Sequence, residues 1–448
     1  MTTSTVAPPQ ALSTPRLWAS GIATLALFIA LAGDGIRNLL GLWGFVAVSI
    51  LTAVACLALL VVLRPVYDRR RTPKALLTFA GFAVLSLAWS AYPGASLFTL
   101  TGMLLCSIVG VFLALAFDWA SVVRVFANAL KWVLALSILF ELWVSLVVRD
   151  RVLPLWVDHG DGEPPLLAYW SRNLLFDGGK IQGILGNSNL LGIVAMFGLI
   201  VFSVQWAAGS VRRRSAVPWL ILAAAEFLLT RSSTMIIALV VVLLVLAAAL
   251  LIRNASTPAA RTPVYLGFVG VVAAGAAGAA LFSDQVLGLF GKSDDLTGRL
   301  DIWQTVIETA SQRPWFGWGY SSPWVPWVEP FNDLVVRRGV LQLHAHNAWL
   351  DVWLQLGIVG LALFTALILS VTWRSWFAAV DRPRLGLDDS QGYSPLSLIP
   401  ILFVTVLLVQ SLAESRILIE SGWVLIVLLT VATKQQSVSR PLTPALHR

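Results

Sequence analysis

The chain has 448 residues, of which 58% are hydrophobic and only 12% charged, and its formal net charge is +8. A soluble globular domain carries about 25% charged residues, so this composition excludes a water-soluble fold. Backbone groups in hydrocarbon must pair within helices or a closed barrel. The apolar runs are about 20 residues long and do not alternate, which leaves helices. The basic residues sit in short loops between these runs, a topology signal rather than a nucleic-acid footprint. Cys56 and Cys106 lie inside apolar runs, which leaves no disulfide framework and no cysteine-based metal site.

In chain order, residues 1–16 are rich in Thr, Pro and Ala and read as a disordered tail. The run 17–31 has the length of a signal peptide, but Gly33-Asp34-Gly35 after it does not resemble a cleavage site, so it is taken as the first span. The expected spans are 17–33, 39–63, 75–91, 96–117, 123–148, 187–206, 216–229, 233–252, 263–282, 347–370, 396–413 and 419–433. The stretch 217–252 is too long for one crossing and divides at Thr230-Arg231-Ser232-Ser233.

Twelve spans put both termini on one side, and the charges agree. Arg64, Arg69, Arg70, Arg71 and Lys74 share a side with Arg212, Arg213 and Arg214, with Arg253 and Arg261, with Arg374, Arg382 and Arg384, and with Lys434. The positive-inside rule makes that side cytoplasmic. The expectation is a multi-pass plasma (inner) membrane protein, all-α, with a tail at 1–16, nine helices over 17–282, an outer loop at 283–346, three helices over 347–433 and a cytoplasmic tail at 434–448.

Two outer loops are long, and loops beyond about 12–15 residues are usually functional or disordered. Residues 149–186 carry Asp158, His159, Asp161, Glu163, Arg172 and Lys180, and 149–180 balances four basic against five acidic residues. In the second loop the spacing predicts a surface helix over 297–312, capped by Thr297 and ended by Pro314, with Leu300, Trp303, Ile307 and Ala310 as its apolar stripe. Trp315-Phe316-Gly317-Trp318-Gly319-Tyr320 follows, with Trp324 and Trp327 beyond. Such aromatics either anchor the loop at headgroup depth or stack on a sugar or lipid carrier.

The strongest local signal is His344-Ala345-His346-Asn347, at the outer mouth of a span and holding two of the four histidines. Imidazole suits proton transfer near neutral pH; a histidine that merely caps the helix is the plainer alternative. Two alternating histidines without a third histidine or a cysteine give incomplete metal coordination, so no metal and no cofactor is expected. Asn347, Asp351 and Gln355 form a polar stripe at helical spacing, either gluing helices or facing substrate. Thr297-Gly298-Arg299 offers a helix N-terminus and a guanidinium, a seat for phosphate or diphosphate. Arg231, with Glu226 a turn earlier, shares the outer side with Glu414, Arg416 and Glu420; charges at that depth are paired contacts or a polar funnel. Gly186-Asn187-Ser188-Asn189 opens another span, and its capping turn needs no function.

Together, Thr297-Gly298-Arg299-Leu300-Asp301-Ile302-Trp303, the segment 314–319, and His346-Asn347 followed by nine residues and Gly357-Ile358-Val359-Gly360 resemble the O-antigen ligase / O-antigen polymerase family. The Gly186-Asn187-Ser188-Asn189 turn and the twelve-span layout are similar too. The resemblance implies an outward-facing, metal-independent glycosyltransferase with a helical GT-C-like fold. Its donor would be a glycan on polyprenyl diphosphate, and its acceptor a hydroxyl of a glycan, lipid or other cell-envelope molecule. It assigns His346 as base and Arg299 as diphosphate ligand. A second family arginine is expected where Ser233 stands, and Arg231 lies two residues early. His344, Asn347, Asp351, Arg231, Asn187 and Asn189 are the expected substrate contacts.

A transporter or flippase for a lipid-linked precursor is the competing function. Transporters place ionisable groups at mid-membrane and carry repeated halves; here Glu141 is the clear mid-span charge and no repeat is visible. A purely structural subunit fits poorly with the histidine-rich mouth. The orientation is directly testable. With Cys56 and Cys106 replaced, a cysteine at Gly162 should react in intact cells with an impermeant thiol reagent, whereas one at Ser215 should not. Labelling at Ser215 would invert the assigned topology.

Overall fold

A computed structural model of the chain describes residues 14–156, 163–255, 257–281, 293–321, 323–325, 331, 334–337, 340–341, 344–382 and 392–435. The expected terminal tails over 1–13 and 436–448 lie outside the described residues, as do Asp158, His159, Asp161, Gly162, Trp327, Arg384 and the side chain of Arg299.

The protein is an all-α polytopic membrane protein. Its helices are α1 (Thr14–Leu31), α2 (Gly33–Leu63), α3 (Lys74–Leu85), α4 (Pro93–Ala116), α5 (Trp119–Trp143), α6 (Ser188–Ala207), α7 (Arg213–Thr230), α8 (Ser233–Asn254), α9 (Pro258–Leu281), α10 (Ser293–Gln312), α11 (Ala348–Val380), α12 (Ile399–Ser411) and α13 (Glu420–Gln435). One two-residue hairpin, Val336–Arg337 with Val340–Leu341, accompanies them. Among the described residues, six helices are long and apolar enough to cross a membrane by length and composition: α2, α4, α5 with the wider turn after it, α6, α8 and α11.

The sequence marks many of these starts. Asp118, Asn187, Ser232 and Asn347 each accept backbone N–H groups at the first turns of α5, α6, α8 and α11, worth about 1 kcal/mol apiece. Pro93 opens α4, where its missing N–H costs nothing. Helix α6 is buried around most of its surface and α2 is mostly exposed, which places α6 centrally and α2 at the lipid-facing edge. Around it, α4 runs along α13, α6 along α7, and α1 against α5 and α2.

The basic loops converge at one end. Lys434 Nζ donates to the Thr72 carbonyl at 3.0 Å, Arg374 Nε to Thr433 Oγ1 at 3.1 Å, and Arg261 pairs with Asp381 at 2.8 Å. The His346 loop opens α11 at the other end.

Two helices break at glycine, and both breaks are filled by loops. In a continuous α11, Ile358 and Val359 would donate to the carbonyls of Leu354 and Gln355. Gly357 instead adopts φ +67° and ψ −171°. Ile358 and Val359 now donate to Pro314 and Trp315 at 2.8 and 3.2 Å, while the freed carbonyls of Leu354 and Gln355 accept from Trp318 and Gly319 at 3.1 and 2.9 Å. Two helical bonds are thus replaced by four. The same device recurs in α2, where Gly41 breaks the helix and the carbonyls of Asn38 and Leu39 accept from the Leu155 N–H at 2.9 Å and the Trp156 indole at 2.5 Å.

Three expectations change. The loop helix α10 begins at Ser293, not Thr297, so Gly298 and Arg299 lie inside it and the argument from free N-terminal N–H groups no longer applies to them. Its buried face is Ile302, Val306 and Ala310 with Trp303 beside them, while Leu300 and Ile307 are exposed. The reason is that α10 docks on protein: it packs against Ala345 and Leu354, and Trp303 Nε1 donates to the Ala345 carbonyl at 3.1 Å. Glu141 is not a bare charge within its span either. It sits near the end of α5 and its carboxylate accepts from the backbone of Gln182 and Gly183 and from Ser171 Oγ, anchoring the first outer loop.

The Gly357 break yields a sharp expectation. A Cβ there would stand 2.2 Å from the Trp315 carbonyl, at a φ that side chains other than glycine rarely adopt. Gly357→Ala should therefore destabilise the protein by at least about 2 kcal/mol, read as a lower melting temperature and faster proteolysis between α10 and α11. Wild-type behaviour in both would remove the clasp from the account.

Candidate functional site

The site assembles where the starts of α6, α8 and α11 meet the segment between α12 and α13. Asn347 caps α11 with Oδ1 accepting from Trp349 and Leu350 at 3.0 and 3.3 Å. That cap fixes the residue before it: His346 adopts a left-handed φ of +51°, and its N–H donates to His344 Nδ1 at 3.2 Å. The two imidazoles lie with centroids 4.0 Å apart and their planes tilted by 56°.

His346 Nδ1 lies 3.2 Å from Glu414 Oε2. The other carboxylate oxygen accepts from Asn189 Nδ2 at 3.3 Å, and Asn189 Oδ1 accepts from Ser232 Oγ at 2.7 Å. A relay thus runs from α8 through α6 to Glu414 and the imidazole. Glu414 is 7% exposed, so these partners rather than water satisfy its carboxyl oxygens. Asp351 is buried one turn into α11 and binds the Ala345 N–H at 3.1 Å, the Trp324 indole at 2.7 Å and the Ser415 hydroxyl. It thereby ties the His loop, the aromatic segment and the α12–α13 connection together.

Beside this cluster lies a cavity of about 430 Å³ whose lining includes His344, Asp351, Gln355, Trp324, Arg37 and Arg416. Of the aromatic run, Tyr320 and Trp324 face the cavity, Trp318 is held by its indole bond to Thr309 and by Arg313 over its ring, and Trp315 and Phe316 are exposed. The aromatic run is thus divided between exposed residues and residues that line the cavity.

The expected site residues divide. His344, His346, Asn189 and Asp351 come together, with Asn347 holding their geometry by its cap. Asn187 caps α6, accepting from Asn189 and Leu190. Arg231 terminates α7 in a left-handed turn with its exposed side chain over Gly178, while its neighbour Ser232 joins the relay. Arg299 rides on α10, which packs on α11. Ser232, Ser415 and Arg37 were not singled out by the sequence; Glu414 and Arg416 were noted only as charges at the outer surface.

His344, His346 and Glu414 offer ligand atoms all within 4.8 Å of one another. The carboxylate is a third donor that the sequence did not place near the histidines. Three donors are one short of a closed zinc site.

Residues 218–365 match the family model described as O-antigen ligase. They include α8, the aromatic clasp and the whole His-Asn to Gly-x-x-Gly motif. Over 95 residues the chain is 35% identical to the exopolysaccharide production protein ExoQ of Rhizobium meliloti (strain 1021), an alignment covering 19% of this chain and 21% of that protein. Over residues 218–365, a third of its length, the chain is thus similar to the O-antigen ligase family. Its match spans about a fifth of the length of the curated relative. Within the family stretch fall His344, His346, Asn347, Asp351, Arg231 and Arg299, whereas Asn189, Glu414 and the Arg37–Arg416 wall lie outside it.

Burial, with the neighbouring His346 adding to it, pushes the His344 imidazole down to about 3. Above about pH 6.5 the imidazole is neutral whether folded or unfolded. Below it the unfolded chain takes up a proton that the folded protein refuses, so stability falls as pH drops from about 6.5 towards 3. The melting temperature should thus decline on acidification from pH 7 to 4.5, and His344→Gln should make that decline shallower. An unchanged slope would mean that His344 protonates freely in the folded protein.

Proposed function

We propose that this protein is a glycosyltransferase of the outer face of the plasma membrane, transferring a glycan from a polyprenyl diphosphate carrier to an acceptor hydroxyl on a glycan, lipid or other cell-envelope molecule. The observation that carries the reading is the His346–Glu414 pair beside a cavity walled by arginines, carboxylates and aromatics. It is joined by the family-model match over residues 218–365 and by the basic loops gathered at the opposite end of the bundle, which under the positive-inside rule favour an outward-facing site. In this reading the chain crosses the membrane twelve times in a GT-C-like arrangement. Residues 17–282 and 347–433 form its helices, 283–346 its outer catalytic loop, and 1–16 and 434–448 its cytoplasmic ends.

The chemistry follows from the geometry. His346 donates its Nδ1 proton to Glu414, which leaves Nε2 as acceptor. As the acceptor oxygen bonds to the anomeric carbon, its proton passes to Nε2. The bond from that carbon to the diphosphate breaks, and the electron pair leaves with the polyprenyl diphosphate. Glu414 stabilises the imidazolium formed, and Asn189 with Ser232 holds Glu414 in place. The diphosphate gathers negative charge and needs cations placed beforehand; Arg299 is assigned that role by its motif. Asn347 positions the base through its cap, Asp351 and His344 border the sugar, and Arg231 and Asn187 flank the site.

Purified variants test this with a lipid-linked donor and acceptor. His346→Ala should lower turnover by about 10²- to 10⁴-fold with donor binding intact, and His346→Gln should not restore it. Glu414→Gln should cost less, because the base survives without its orienting charge. Arg299→Ala should cost about 100-fold or more, and Arg299→Lys should recover part by keeping charge without the fork. Full turnover by His346→Gln would end the general-base assignment.

A further inference from the structure

The polar cavity does not end at its own walls. A second cavity of about 420 Å³ adjoins it between α2 and α4, lined largely by Trp43, Val46, Ile50, Phe98 and Met103. Both cavities are bordered by Arg37, Tyr320, Leu418 and Glu420, so a polar chamber passes directly into an apolar groove on the lipid-facing helix α2.

Four charges stand at the junction. Arg37 pairs with both Asp34 and Glu420, and Arg416 pairs with the same two carboxylates, its Nη1 lying 2.7 Å from Glu420 Oε2. The ring is closed and formally neutral. It is also held from outside: Gly33 leaves room for Glu420, whose Oε2 a Cβ would approach to 2.7 Å, and the Arg37 guanidinium lies 4.2 Å from the Phe45 ring centroid. The side chains keep 11–29% of their exposure, so the ring is reachable from the cavity. Nothing in the proposed transfer chemistry uses it.

An amphiphile occupying both cavities would put its ionic group where polar wall changes to apolar wall, which is where these guanidiniums stand. Each arginine has five N–H donors in a planar fork suited to phosphate oxygens. We propose that Arg37 and Arg416 form a phosphate subsite for the chain-proximal phosphate of a polyprenyl diphosphate whose hydrocarbon lies in the α2–α4 groove. Asp34 and Glu420 hold the two guanidiniums in register while the site is free and yield part of their contacts when the phosphate enters. This rests on the glycosyltransferase reading and adds to it where the carrier enters and what grips it, apart from Arg299.

The carboxylates make the test two-signed. If the ring is a phosphate subsite, Asp34 and Glu420 compete with the ligand; if it is only a brace, every member contributes in the same direction. Binding of a C55 polyprenyl diphosphate to the purified full chain in nanodiscs should weaken about tenfold or more in Arg37→Gln and in Arg416→Gln, and strengthen severalfold in Glu420→Gln. Inorganic pyrophosphate should compete far less well than the lipid, and C55 alcohol should bind wild type and Arg416→Gln alike. Glu420→Gln weakening binding in step with a lower melting temperature would make the ring a brace and overturn the subsite. Pyrophosphate competing as well as the lipid would overturn the assignment of a lipid occupant. Wild type binding the lipid with both arginine variants unchanged would remove the subsite alone. Failure of the wild type to bind any polyprenyl diphosphate would remove the glycosyltransferase reading with it.

Discussion

The backbone exchange at Gly357 is the constraint on which the outer half of the molecule depends. A helix interrupted within a membrane protein leaves donors and acceptors that water cannot satisfy. Here the segment 314–319 satisfies all four groups released. Because the exchange is between backbones, it demands glycine on both sides: a Cβ at Gly317 would stand 2.5 Å from the Gln355 carbonyl, and one at Gly357 2.2 Å from that of Trp315. The first turns of α11, which carry Asp351 and Gln355, are thereby set at an angle to the rest of the helix. The clasp also brings Tyr320 to Ser86 and Trp89 to Phe316, so the aromatic segment is wedged between α3 and α11.

From that wedge the site is built by satisfied carboxylates. Asp351 joins three separate segments, and Glu414 joins α6 to the His loop. A buried carboxylate without partners would be strongly unfavourable, so each fixes its surroundings as firmly as they fix it. The Gly41 break in α2 repeats the strategy on the facing wall, where Leu155 and Trp156 take the freed carbonyls. Two interrupted helices thus border one polar chamber, each closed from outside by a loop. Irregular backbone at such depth is tolerated where it lines a cavity or is buried in protein.

Much of this was legible in the sequence, and the failures share a cause. Caps at Asn187, Ser232 and Asn347 are local chemistry, and the helices lie close to the apolar runs that announced them. The His-Asn to Gly-x-x-Gly spacing marked both the His loop and the break, although nothing in it reveals that the aromatic segment repairs that break. The stripe on α10 was chosen for a membrane surface, whereas its partner is α11; rotating the contact face by part of a turn exchanges Leu300 and Ile307 for Ile302 and Val306. Glu414 lies 68 residues from His346, and no local pattern predicts that meeting. Arg231 drew notice by its charge, yet the hydroxyl beside it reaches the site. Glu141 reads from sequence as a bare mid-span charge because its three donors come from a loop 30 to 42 residues away.

The central claim is that this chamber transfers a glycan rather than passing one through. The most direct measurement follows a glycan-labelled polyprenyl diphosphate in proteoliposomes holding the purified protein and an acceptor on the outer face. Transfer predicts label on the acceptor and an unlabelled carrier that still bears both phosphates, with no label crossing the bilayer. Label that stays on its carrier and appears in the opposite leaflet would contradict the account and make the protein a translocator.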